Sequence, residues 1–185
     1  SEYREMNETV DVANTNLLLT GLVHEWQKER GLTSIYLTDK KDTHYTKLKA
    51  QRRLSDKQYS LLQPIIQKAI NNNDTTAGGR QLWKSLEASL KSVREDVDNA
   101  SISGAESIER YSKMNGQLID KLYTQVNRQK DKKMYRSGMA NAYFVLGKEN
   151  AGIERAVLGA VFASDTCTEA QKKHFNKPDM NQEMY

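Results

Sequence analysis

Two arginines occupy positions where an arginine is costly. Leu19, Leu22, Trp26, Thr33 and Leu37 recur at steps of three and four, the spacing of one helical face, and Arg30 takes the stripe position between Trp26 and Thr33. Arg155 lies within Ala151–Ala163, where every residue except Glu154 and Arg155 is apolar or small. A charge on such a face destabilises a fold unless it is paired or finds a counter-ion. The two segments also align with each other. Glu29-Arg30-Gly31-Leu32 matches Glu154-Arg155-Ala156-Val157, and Ser34 matches Gly159, so each arginine has a small residue four positions on, on its own face. Arg155 in addition follows Ala151 and Gly152 by one turn. Small residues beside a long cation leave a pocket. Two guanidinium groups on facing helices could converge there on one small planar oxyanion, a task for which Arg is better suited than Lys. The same residues allow a purely structural outcome, in which Arg30 pairs with Glu154, and Arg155 with Glu29, and no ligand is involved.

Other groupings carry less chemistry. His24, His44 and His174 are scattered, without the two-histidine helical spacing of a metal site, and Cys167 is the sole cysteine. His24 lies a turn and a half before Arg30 and could add a donor to its pocket. Arg52 and Arg53 have Asp56 within helical reach. No nucleophile-and-base set, phosphate loop or acid/base carboxylate pair is legible, so the expectation is a protein that is not an enzyme and uses neither metal nor cofactor. The basic run Arg128–Lys133 reads as a solvated helix end rather than a nucleic-acid face.

The elements that position these residues are helices throughout. Only two prolines and ten glycines interrupt 185 residues. A helix over residues 2–38 would be about 55 Å long at 1.5 Å per residue. A second is expected over Thr43–Ile70, with a kink or break near Leu62 ahead of Pro64. Asn71–Gly79 reads as a loop, followed by helices over Arg80–Asn99, Ala105–Arg128 and 134–164, with Ser103 or Gly104 opening the second of these ahead of Glu106. A sixth helical segment is expected from Thr168, dissolving into the tail. The fold class is all-α, an antiparallel bundle of the four-helix type with a long N-terminal helix. One domain over residues 1–175 precedes a polar tail at 176–185.

Composition bounds the function. Hydrophobic residues make up 37% and charged residues 28%, which is polar for a folded domain but too regularly patterned for disorder. The formal charge of +4, from 28 basic and 24 acidic residues, is small and interleaved. No apolar run reaches the ~18–20 residues that cross a bilayer. The chain begins inside a helical pattern, as a segment excised from a longer membrane protein would.

His24-Glu25-Trp26-Gln27-Lys28-Glu29-Arg30-Gly31-Leu32, followed by Gln51-Arg52-Arg53 and Asp56, resembles the opening of the nitrate- and nitrite-sensing (NIT) domain. Val93-Arg94 with Val97 is similar to its central helix. Tyr111-Ser112-Lys113-Met114-Asn115 is similar to its YTxxN element, and Lys148-Glu149-Asn150-Ala151-Gly152-Ile153-Glu154-Arg155-Ala156 to its KExAGxERA signature. The resemblance spans about residues 10 to 175. It implies an all-helical sensor, found extracytoplasmically in bacterial chemoreceptors, kinases and cyclases, or as the sensing half of a nitrate-responsive transcription antiterminator. By resemblance, Arg30 and Arg155 become the favoured anion ligands, Arg94 a third, and Arg52 and Arg53 lesser candidates.

The expectation is then a periplasmic domain of an inner-membrane chemoreceptor, flanked by membrane spans and dimeric. It would bind nitrate or nitrite between helices, signal by helix displacement and make no nucleic-acid contact within this segment. The alternatives are a ligand-free helical dimerisation or scaffold module and the antiterminator's sensing half.

Overall fold

The computed structural model describes residues 2–71 and 79–164, with side chains placed for 11–68, 70–71 and 79–159. Five helices account for it: α1 (Glu2–Asp39), α2 (Asp42–Asn71), α3 (Gly79–Asp98), α4 (Gly104–Val126) and α5 (Lys132–Ser164). The expected helix limits hold to within two residues. The sixth segment and the polar tail lie outside the described residues, as does most of the loop after α2.

Short connections make sequential helices antiparallel neighbours. Lys40 ends α1 with a positive φ of 52°, and Ala100 does the same after α3. Of the two expected starts, Ser103 and Gly104, Ser103 caps α4: its hydroxyl accepts from the Glu106 backbone N–H. Cross-helix pairs fix the directions. Glu25 meets Gln51, while residue 18 meets Gln58, so α2 runs against α1. Arg94 meets Asp56 and Glu87 meets Tyr59, so α3 runs against α2.

Contacts close α1, α2, α3 and α4 into a ring, and α5 packs on α4 and, less extensively, on α1. The antiparallel four-helix expectation is correct for the ring, with α5 added over the α1/α4 seam. Leu19, Leu22, Trp26, Leu48, Leu62, Leu86, Val93, Tyr111, Leu118 and Leu122 fill its interior at no more than 1% exposure each. Burying each such side chain contributes about 1.5–3 kcal/mol before conformational entropy is counted.

Of the kink or break expected near Leu62, the break does not occur. α2 is continuous through that residue. Pro64 and Ser60 are both exposed, so the Ser60 carbonyl that loses its N–H partner can be hydrated instead.

α5 runs parallel to α1, as its partners show. Asn141 donates to Thr20, Gln27 to Glu149, and Arg30 lies against Gly152, an offset close to 122 residues at every step. The alignment of Glu29-Arg30 with Glu154-Arg155 implies an offset of 125. The register therefore places Gly152, not Arg155, level with Arg30, and Arg155 one turn further along.

Candidate functional site

Successive helix residues point about 100° apart, and α1 uses this at Glu29 and Arg30 to tie two sides of the molecule. Glu29 is completely buried and turns toward α3 and α4. Arg94 Nε and Nη2 donate to its two oxygens at 2.7 and 2.9 Å, and the Tyr111 hydroxyl donates to Oε1 at 2.7 Å. Burial pulls the Arg94 pKa down, but the hydrogen bonds and charge of Glu29, then of Asp56, hold it above its ordinary value. Burial, then the charge of Glu29, push the Tyr111 hydroxyl well up, so it remains a donor.

Arg30, 2% exposed, turns the other way, into the junction of α4 and α5. Its Nη1 donates to Glu149 Oε1 at 2.5 Å and to the Ser112 hydroxyl at 2.8 Å. The second oxygen of Glu149 accepts from Gln27 Nε2 at 2.9 Å and from Asn115 Nδ2 at 3.3 Å. Glu149 is itself 3% exposed, so this is a buried ion pair whose carboxylate is fully occupied. The cross-helix pairs expected from sequence, Arg30 with Glu154 and Arg155 with Glu29, do not form. Glu154 is exposed on α5, and Glu29 belongs to Arg94.

Gly152 completes the Arg30 site. A Cβ on Gly152 would stand 2.7 Å from Arg30 Nη2, so only glycine lets the guanidinium lie against α5. Gly152→Ala gains about 1 kcal/mol of helix propensity but meets an overpacking cost of about 1–3 kcal/mol. Urea melts should show a net loss or no gain. A full 1 kcal/mol gain would mean that the guanidinium swings aside freely.

Beyond Arg30, α1 and α5 flank a solvent-open groove of about 820 Å³ among the described residues, with Gly104 and Ala105 of α4 at one wall. Its lining includes His24, Lys28, Arg30, Lys148 and Arg155, alongside Gly31, Ile35, Ala156 and Gly159. Five side chains able to carry positive charge thus share one concavity, and Asp39 is the acidic residue in the lining. Lys148 Nζ contacts His24 Nδ1. Burial, then Lys148 and Lys28, lower the His24 pKa; burial, then Lys28, lower that of Lys148. An anion entering here would relieve the mutual repulsion of these groups.

Of the residues singled out in the sequence, the fold brings Arg30, Arg155 and His24 to this groove. Arg155 is exposed, although its segment reads as apolar, because that face of α5 lines the groove rather than the core. Arg94 and Arg52 lie on another face of the bundle. Arg52 Nη1 donates to both oxygens of Asp98, and Arg94 to Glu29 and Asp56, so neither guanidinium faces the groove. Arg53 is exposed on α2, outside the lining. Glu149 was not anticipated, yet its position was readable: Ala142, Val145 and Glu149 step by three and four along the buried face of α5. Asn115 likewise sits between Tyr111 and Leu118 on the buried stripe of α4.

Residues 21–184 match the family described as nitrate and nitrite sensing. The chain belongs to the NIT family. The NIT assignment covers all five groove cations and agrees with the resemblance carried by the α1 and α5 motifs. No curated protein matches the chain. Among solved structures, the NIT domain is similar to one titled "Structure of the NasR transcription antiterminator", at a TM-score of 0.79 and 20% identity. The match covers 92% of this chain and 47% of that one, so the chain spans about half the length of its structural neighbour. At that identity the likeness concerns the helical fold. No described helix is long and apolar enough to cross a membrane, and no described group of His, Cys, Asp or Glu could hold a metal ion.

Proposed function

We propose that this NIT domain binds nitrate or nitrite in the α1/α5 groove, between Arg155 and the Nη2 edge of Arg30. His24, Lys28 and Lys148 add positive potential. The observation that carries the reading is that a buried arginine on α1 and an exposed arginine on α5 line the same groove. Planar oxyanions accept parallel N–H bonds from a guanidinium, which suits this pair. Arg94, Arg52 and Arg53 are left out of the ligand set, since the first two have acidic partners elsewhere and the third lies outside the groove.

An anion bridging α1 and α5 would favour arrangements in which the two helices approach. A ligand shifts such an equilibrium only by its differential affinity for the two states. Glu29, the next residue on α1, passes the displacement to α3 and α4 through Arg94 and Tyr111. The output would be a shift of α1. In the version favoured by the long first helix, the domain is the dimeric extracytoplasmic sensor of a transmembrane chemoreceptor. The similarity to a transcription antiterminator favours a second version, the sensing half of such a regulator.

Calorimetric titration with nitrate, nitrite and chloride tests the reading, alongside melting temperature in each salt. Heat with the oxyanions and a melting temperature that rises with their concentration are expected. Silence with every anion would leave the ligand-free scaffold module instead.

A further inference from the structure

We infer that Glu149 sets the affinity of the anion site, as a fixed carboxylate that shares Arg30 with the ligand and repels it. The inference rests on the anion reading of the α1/α5 groove. Arg30 Nη1 is fully engaged, by Glu149 Oε1 at 2.5 Å and Ser112 at 2.8 Å. Nη2 lies against Gly152, which like Arg30 belongs to the groove lining. A ligand therefore meets a guanidinium already neutralised by a buried partner, with one edge left to offer.

Glu149 does not depend on Arg30 alone. Gln27 and Asn115 both donate to its other oxygen, so the carboxylate is held in place while the ligand binds. The ligand anion must then sit on a guanidinium that already carries a carboxylate, at 3% exposure, where solvent screens the repulsion poorly. Such a site disfavours anions in general. The preference for a planar oxyanion over a spherical halide comes instead from the directional bonds of Arg30 and Arg155. Glu149 thus lowers affinity for every monovalent anion alike.

Glu149→Gln removes the charge and keeps the shape and the acceptor facing Arg30. Titrated beside the parent, it should bind nitrate at least about tenfold more tightly, the scale of a close charge pair. Chloride should gain by a similar factor, so the nitrate-over-chloride ratio is kept. Glu154→Gln, an equal charge change on the exposed face of α5, should move neither affinity appreciably. Glu149→Ala provides a second readout, because it vacates the carboxylate's place. Its lowered melting temperature should rise with added nitrate by more than the parent's does. A folded Glu149→Gln protein with unchanged or weaker nitrate binding overturns the inference and leaves the groove as the anion site. If neither parent nor variant binds any anion, the groove reading fails and the inference fails with it.

Discussion

Arg155→Ala should erase the nitrate-dependent rise in melting temperature while leaving the nitrate-free protein as stable as its parent. Arg155 is exposed in the groove, so its loss strands no buried partner among the described residues. Ligand at a hundredfold excess over its Kd stabilises a protein by about 2.7 kcal/mol. For a chain of this size that is a rise of roughly 5–10 °C, which the variant should lack. Arg30→Ala should behave oppositely in the absence of ligand. It leaves Glu149 as an uncompensated buried carboxylate and should cost about 3–5 kcal/mol with no anion present. The pair of variants therefore separates binding from folding. Equal destabilisation in both would mean that Arg155 holds a structural partner and would count against the groove as a ligand site. The comparison is best made by thermal and urea melts of both variants with and without nitrate.

Glu29→Ala should rank with Arg30→Ala among the most damaging substitutions in the polar interior. It removes the acceptor of three hydrogen bonds, two from Arg94 and one from Tyr111, at a position with no solvent access. Arg94 keeps Asp56 as a partial partner, but the Tyr111 hydroxyl is left buried without its acceptor. A loss of about 3–5 kcal/mol is expected, a large share of the ~5–15 kcal/mol that holds a typical domain together. Urea unfolding should show a lower midpoint with an unchanged slope. If the loss were below about 1 kcal/mol, a typical net hydrogen-bond contribution, Glu29 would not be the tie between α1, α3 and α4 described above.

The helices were legible because their apolar residues recur with helical spacing and the connections carry clear signals, Ser103 before Glu106 being the best. The burial of Arg30 was legible for the same reason, since it interrupts a stripe. Its partner was not. Helical spacing shows which face a residue occupies but not which residue lies opposite, and that depends on register between helices. The internal similarity of the two Glu-Arg segments suggested level arginines; the parallel packing of α5 on α1 shifts them by about a turn and puts Gly152 opposite Arg30. Arg155 illustrates a second limit. Its small and apolar neighbours read as core, but a run of Gly and Ala can equally border a cleft, and only the packing of α5 in the fold distinguishes these outcomes. Arg52 and Arg94 show a third. Acidic residues on α1, α2 and α3 that are far apart in sequence converge on them, and no local spacing reveals that.

The openness of the groove has a consequence for time. Among the described residues the groove opens to solvent between α1 and α5, and its cations attract anions from a distance. Entry can therefore approach the ~10⁸ M⁻¹s⁻¹ of electrostatically assisted encounters. For an affinity of order ten micromolar, departure would then occur roughly a thousand times per second. Occupancy would follow the surrounding concentration within milliseconds. Any memory in the signalling must then reside in the helices and what they connect to, and not in the residence of the ion.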